Sequence, residues 1–231
     1  RRVLFRSAAP PGVVDAINRA ARHRIYGYHT RPQSFYQAAV DWVGRRHGWQ
    51  VKLEWVINAP GVVPSIIAAI LALTDPGDEV IIQPPVYPPF FSCVTKNGRQ
   101  LVENPLRCAD GRYEMDFDDL ERKISSKTKM LILCSPHNPV GRVWTQAELT
   151  RLNEICLQHD IIVLADEIHS DLVFKGHKHI PVAALHDDAQ RNTVTCISPS
   201  KTFNIAGFYT NAAQKFTAVA KLDASRSVKT V

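Results

Sequence analysis

Residues 161–165 read Ile-Ile-Val-Leu-Ala, five apolar residues bounded by Asp160 and Asp166. A strand with one face in water alternates apolar and polar side chains; an unbroken apolar run belongs to a strand covered on both faces. Burial on both faces requires helices above and below the sheet, and the rest of the chain is patterned to supply them. Residues 34–47 carry an apolar stripe at Phe35, Ala38, Ala39, Trp42 and Val43, spaced for a helix. The spacing predicts a short strand over 55–58, a buried helix over 65–73, a turn at Asp75-Pro-Gly-Asp78 and a strand over 79–83 stopped by Pro84-Pro85. It further predicts a helix over 86–97, a strand over 100–103 and a helix over 117–124 opened by Asp116. Residues 130–134 and 193–198 read as two more strands. Thr145-Gln-Ala-Glu148 is a capping box that opens a helix with Leu149, Leu152, Ile155 and Cys156 on one face. Residues 174–179 read as an exposed hairpin. The expected fold is α/β: a mostly parallel sheet with helices on both faces.

Composition narrows the function classes. Hydrophobic residues make up 45% of the 231, enough for a core without disulfides or metals. The five cysteines are odd in number and form no C-x-x-C pair, the usage of reduced core cysteines in a cytoplasmic protein. No apolar run approaches a membrane span and no signal peptide is visible, so no membrane partner is expected. The net charge of +6 is terminal: residues 1–24 hold six Lys/Arg against one acid, and 215–231 four against one. Residues 25–214 are close to neutral, with 18 basic and 20 acidic side chains, so nucleic acid is not an expected partner.

Ligands of parallel α/β sheets bind beyond the carboxyl ends of the strands. At those ends the predicted strands place Asp166-Glu167, Asn138, Ala59-Pro60-Gly61 and Ser198-Pro-Ser-Lys201. Each has an ordinary explanation alone: a capping acid, an Asn-Pro turn, a glycine before a helix, a surface lysine. Together they supply what pyridoxal 5'-phosphate needs. An amine holds the aldehyde, a carboxylate keeps the pyridine nitrogen protonated, a donor faces the ring O3′, and a helix start holds the phosphate.

Five segments carry a resemblance. They are A-P-G-V-V-P-S-I (59–66), P-P-V-Y-P-P-F (84–90), S-P-H-N-P-V-G-R-V-W (135–144), D-E-I-H-S-D (166–171) and S-P-S-K-T-F-N-I-A-G (198–207). In this order they resemble the fold-type I pyridoxal-phosphate enzymes of the class I/II aminotransferase family. Within it they are most similar to the MalY/PatB-type cystathionine β-lyase branch. The resemblance implies that Lys201 bonds the cofactor and later moves the substrate Cα proton. It implies that Asp166 pairs with the pyridine nitrogen, that Asn138 bonds O3′ with His169 nearby, and that Tyr87 stacks on the ring. Backbone N–H groups of Gly61, Val62 and Val63 would hold the phosphate, with the Ser198 and Ser200 hydroxyls. Tyr28 would reach the phosphate of a partner subunit, which implies a homodimer of the full-length protein.

The implied activity is a C–S β-lyase acting on cystathionine or a related cysteine conjugate. The alternatives are an aminotransferase, or a cofactor-binding regulatory domain without turnover. The expected organisation is an N-terminal arm over 1–30, a cofactor-binding large domain over 31–210, and a tail over 211–231 that departs from the family pattern, as the first residues also do. The family's C-terminal small domain, with its carboxylate-gripping arginine, has no counterpart in the sequence, so the chain alone is expected to turn over poorly. His169, His177, His179 and His186 with Asp166, Glu167 and Asp171 could be drawn as a metal site, but their spacing is tied to no secondary element and no metal is expected.

Overall fold

A computed structural model describes residues 7–28 and 30–207. Five parallel strands form the sheet: β1 (Glu79–Ile82), β2 (Gln100–Glu103), β5 (Thr128–Cys134), β6 (Ile162–Asp166) and β7 (Thr193–Cys196), in the order β2-β1-β5-β6-β7. The remaining two, β3 (Arg107–Ala109) and β4 (Arg112–Glu114), make a separate antiparallel hairpin.

Period-two alternation sorts the core into two layers. Val80, Ile82, Met130, Ile132, Ile162, Leu164 and Val194 face α3 (Val62–Leu73) and α4 (Pro89–Thr95), where Ile66, Ile70 and Phe90 meet them. Ile81, Leu131, Leu133, Val163 and Ala165 face the other way, onto Leu120 of α5 (Phe117–Lys123) and onto Leu149, Leu152 and Cys156 of α6 (Gln146–Gln158). The unbroken apolar run is therefore two interleaved sets, one per layer. A third cluster gathers Val43, Trp49, Val51 and Val56 around α2 (Gln33–His47), with Ile197 against it. The N-terminal helix α1 (Pro11–Arg22) buries no residue. Two short helices, α7 (Asp187–Asn192) and α8 (Pro199–Thr202), flank β7. Among the described residues no helix is long and apolar enough to cross a membrane.

Local signals explain most boundaries. Asp116 accepts the Asp119 N–H at the start of α5, and the Thr145–Glu148 capping box opens α6. Gly48, at φ 71°, ends α2 in the left-handed conformation that costs glycine little. Three expectations change. Residues 55–58 form no strand: a 3₁₀ turn over Leu53–Trp55 precedes them, and Val56 packs on α2 instead of pairing with the sheet. The helix expected over 86–97 is confined to Pro89–Thr95: Pro88 disfavours the helical conformation for Tyr87 before it, while proline itself is tolerated in the first turn. Residues 174–179 turn at Gly176 without pairing as a hairpin, since His179 folds inward to a buried partner. The hairpin β3–β4 was the one to expect: Asp110-Gly111 sits at its tip with both residues at positive φ, 50° and 75°.

Candidate active site

Strand register aligns three strand ends. Cys134 of β5, Asp166 of β6 and Cys196 of β7 are Cα partners in a row. The chain leaves the sheet there, and a cavity of about 670 Å³ opens beyond it. Its wall includes Gly61, Val62, Val63, Tyr87, Asn138, Asp166, His169, Ser200 and Lys201. Nine residues singled out from sequence thus line one cavity, although no strand precedes Gly61.

Asp166 is only 4% exposed, and its Oδ1 accepts the Ile168 N–H at 3.2 Å. Burial pushes its carboxyl up to about 7; the Ile168 bond and the Lys201 charge oppose that push, and the neighbouring Glu167 charge adds to it. Glu167 itself points away from the cavity, taking His179 Nε2 at 3.0 Å and the Val182 N–H at 3.0 Å. His169 is shifted down, by burial first and then by the Lys201 charge, so its ring is neutral near pH 7. Burial also raises the thiols of Cys134 and Cys196 well above their ordinary value, which leaves them protonated and inert.

Gly61 is the N-cap of α3, with no side chain bonded over the first turn. The helix start therefore presents its N–H groups and the positive end of its dipole to the cavity. Tyr87 closes another side, packed edge-on against Phe90 at 5.8 Å between ring centroids. Lys201 is carried by α8, a single turn. Ser198 caps that turn: its Oγ accepts the Ser200 N–H at 3.2 Å, and its hydroxyl donates to Ser200 Oγ at 2.9 Å. Ser198 thus stands behind Ser200 and lines a different cavity, of about 430 Å³, against α2. A further cavity of about 630 Å³ meets the first along Asn138, His169 and Lys201, and Phe174 and His177 are on its far wall. Tyr28 is fully exposed and away from the cavity.

Several of the histidines and acids that could have been drawn as a metal site have other partners. His179 pairs with Glu167, and His186 accepts the Ala189 N–H as the cap of α7. Asp171, which no local pattern singled out for the site, takes bonds from Trp42, His47 and Thr202.

A parallel sheet covered on both faces, with a lysine, a buried carboxylate and an open helix start around a cavity beyond its strand ends, defines an α/β protein with a candidate ligand site at the sheet's carboxyl edge. The chain belongs to the aminotransferase class I and II family, whose model matches residues 4–226. That range takes in most of residues 211–231, which lie outside the described residues. The chain is 49% identical over 205 residues to cystathionine β-lyase PatB of Bacillus subtilis, covering 88% of this chain and 53% of the relative. It is 41% identical over 163 residues to kynurenine–oxoglutarate transaminase 3 of Rattus norvegicus, covering 67% and 36%. Among solved structures it is similar to cystalysin from Treponema denticola, which contains a pyridoxal 5'-phosphate cofactor, with a TM-score of 0.90 at 35% identity, covering 96% and 55%. The chain thus spans about half the length of PatB and of cystalysin.

Proposed function

We propose that the protein carrying this chain binds pyridoxal 5'-phosphate through Lys201 and is a C–S β-lyase, releasing pyruvate, ammonia and a thiol from cystathionine or a similar cysteine conjugate. The observation that carries the reading is the pairing of Asp166 with Lys201 across one cavity. A carboxyl so buried that it holds its proton up to about pH 7 is poised to lose it when a cationic N–H is placed opposite. A protonated pyridine nitrogen is such a group. The other residues fit the rest of the molecule: the α3 start and Ser200 suit a phosphate, and Tyr87 suits a ring face.

When bound, pyridoxal 5'-phosphate supplies an aldehyde that captures amines and a ring that withdraws electrons from the substrate Cα. The chain supplies the rest. Asp166 would hold the proton on the ring nitrogen. Asn138 and His169, which line the cavity with Lys201, would hold the ring oxygen. Lys201 Nζ, on the cavity wall, would move the substrate Cα proton, removing it and returning one later. The neighbouring 630 Å³ cavity gives the departing sulfur substituent room beside Lys201.

An aminotransferase reading has the rat transaminase similarity in its favour. Both reactions begin with the same proton removal, so the shared residues do not separate them. Incubating the full-length protein with cystathionine and assaying pyruvate and thiol, against keto-acid-dependent amino transfer, does. Pyruvate formation without an added keto acid supports the lyase; amino transfer alone would overturn it.

A further inference from the structure

Asp171 lies five residues beyond the end of β6 and outside the cavity that Asp166 and Lys201 share. Its side chain is 6% exposed and collects donors from two other segments. Oδ2 accepts the Trp42 Nε1–H at 3.0 Å and the Thr202 hydroxyl at 2.7 Å. Oδ1 accepts from His47 Nε2 at 3.1 Å, and Arg46 Nε stands 3.5 Å away. Burial alone would raise this carboxyl; the bonds from His47, Thr202 and Trp42 outweigh burial and bring it down to about 2. Asp171 is therefore an anion over the whole working pH range, and its bonds are of the charge-assisted kind.

Trp42, Arg46 and His47 all belong to α2, while Thr202 is the last residue of α8, next to Lys201. One turn of helix does not hold itself in shape. At its start α8 is fixed by the Ser198 cap, and at its end by Thr202 on Asp171 and by Phe203, edge-on to Trp42 at 5.3 Å. Neighbouring residues of a helical turn point in different directions. Thr202 faces Asp171 while Lys201 lines the cavity, so the angle of one sets the angle of the other.

We propose that Asp171 is a positioning residue for Lys201: by accepting the Thr202 hydroxyl it fixes the rotation of the lysine-bearing turn, and it ties that rotation to the docking of α2. The inference rests on the reading that Lys201 bonds the cofactor. Asp171 acts through Thr202 and touches neither cofactor nor substrate.

The test uses the full-length protein loaded with pyridoxal 5'-phosphate. Thr202→Val keeps the side-chain shape and removes the hydroxyl; Thr202→Ser keeps the hydroxyl. Two quantities are read: the cofactor dissociation constant by equilibrium dialysis, and the pH midpoint of the Lys201-dependent visible absorbance. Loss of a bond to a buried charge should weaken cofactor retention on the order of tenfold in Thr202→Val and displace the midpoint. Thr202→Ser should return both readouts to within about twofold of wild type, since it keeps the charge-assisted bond. Thr202→Val matching wild type in both readouts, even with a lowered melting temperature, would reduce the contact to a structural one and overturn the proposal. Thr202→Ser as impaired as Thr202→Val would overturn it too, by assigning the effect to the methyl group. If Thr202→Val does not fold, Thr202→Ala is judged by the same outcomes. A Lys201→Ala protein that kept the visible absorbance would instead sink the cofactor reading itself, and that result needs no Thr202 variant.

Discussion

Asp166 carries an unfavourable proton balance that the cofactor-free protein must tolerate. Its carboxyl releases its proton near 3.8 in the unfolded chain and near 7 in the fold. Between those values the folded state binds the extra proton, so stability falls as pH rises through the window, by on the order of 4 kcal/mol in all. Asparagine has no proton to lose. Asp166→Asn should therefore flatten the urea-unfolding midpoint of the cofactor-free protein across this window; a slope unchanged by the substitution would contradict the assignment. With cofactor bound, the same variant should lose turnover on the order of 10²-fold through the missing charge, while retention falls much less. Lys201→Ala should abolish the visible absorbance, and borohydride reduction that labelled a different lysine would refute its role. Asp166, Asn138, Gly61, Ser200 and Lys201 were legible because they stand just beyond predicted strands or at a helix start, whereas Tyr87 and His169 were reached only through the family resemblance. Asp171 was not legible, since its partners lie 129, 124 and 31 positions away and no local pattern records such distances.

The elements were legible where a period or a cap declares them. The strand 100–103 fell where it was expected, and the α6 start where the Thr145–Glu148 box put it. Tertiary context decided the others. Residues 55–58 have strand composition, yet Val56 packs in the α2 cluster and pairs with none of the described strands. The four residues of α8 are too few for any period; only the Ser198 cap and proline at the first turn mark them. The α6 box is also tied to the hairpin loop region: Glu148 takes both of its carboxylate oxygens to Arg142 Nη2, at 2.7 and 2.8 Å, and Arg142 also bonds the Tyr113 carbonyl. Thr145→Ala should lower unfolding stability by about 1 kcal/mol and leave the cofactor absorbance intact, because Thr145 lines the neighbouring cavity and not the one that Asp166 and Lys201 share. A changed absorbance in that variant would show that the two layers are coupled in a way their separate cores do not suggest.

On the scale of the molecule, the fold class was legible from one strand, because burial on both faces leaves few architectures open. The subunit arrangement is a matter for experiment. Tyr28 is exposed in the single chain, and a homodimer of the full-length protein in which it serves the neighbour's phosphate makes a sharp expectation. Mixed dimers of Tyr28→Phe and Lys201→Ala subunits then contain one intact site, so they should show about half of wild-type turnover per dimer. Activity no higher than the average of the two parent homodimers would remove the shared site. The strand order β2-β1-β5-β6-β7 carries one more consequence, for how the protein is made. Once β1 and β2 have paired, β5 joins the free edge of β1, and β6 and β7 then extend the sheet on that same side. A chain emerging from the ribosome can thus lengthen its sheet one strand at a time in the direction of synthesis. The α3 start is translated long before α8, so the helix start proposed for the phosphate would be made before the Ser200 and Lys201 proposed to complete the site. Covalent capture by Lys201, as proposed, would await the turn that follows β7, and a synthesis stalled after β6 would leave a helix start that could only let its ligand go.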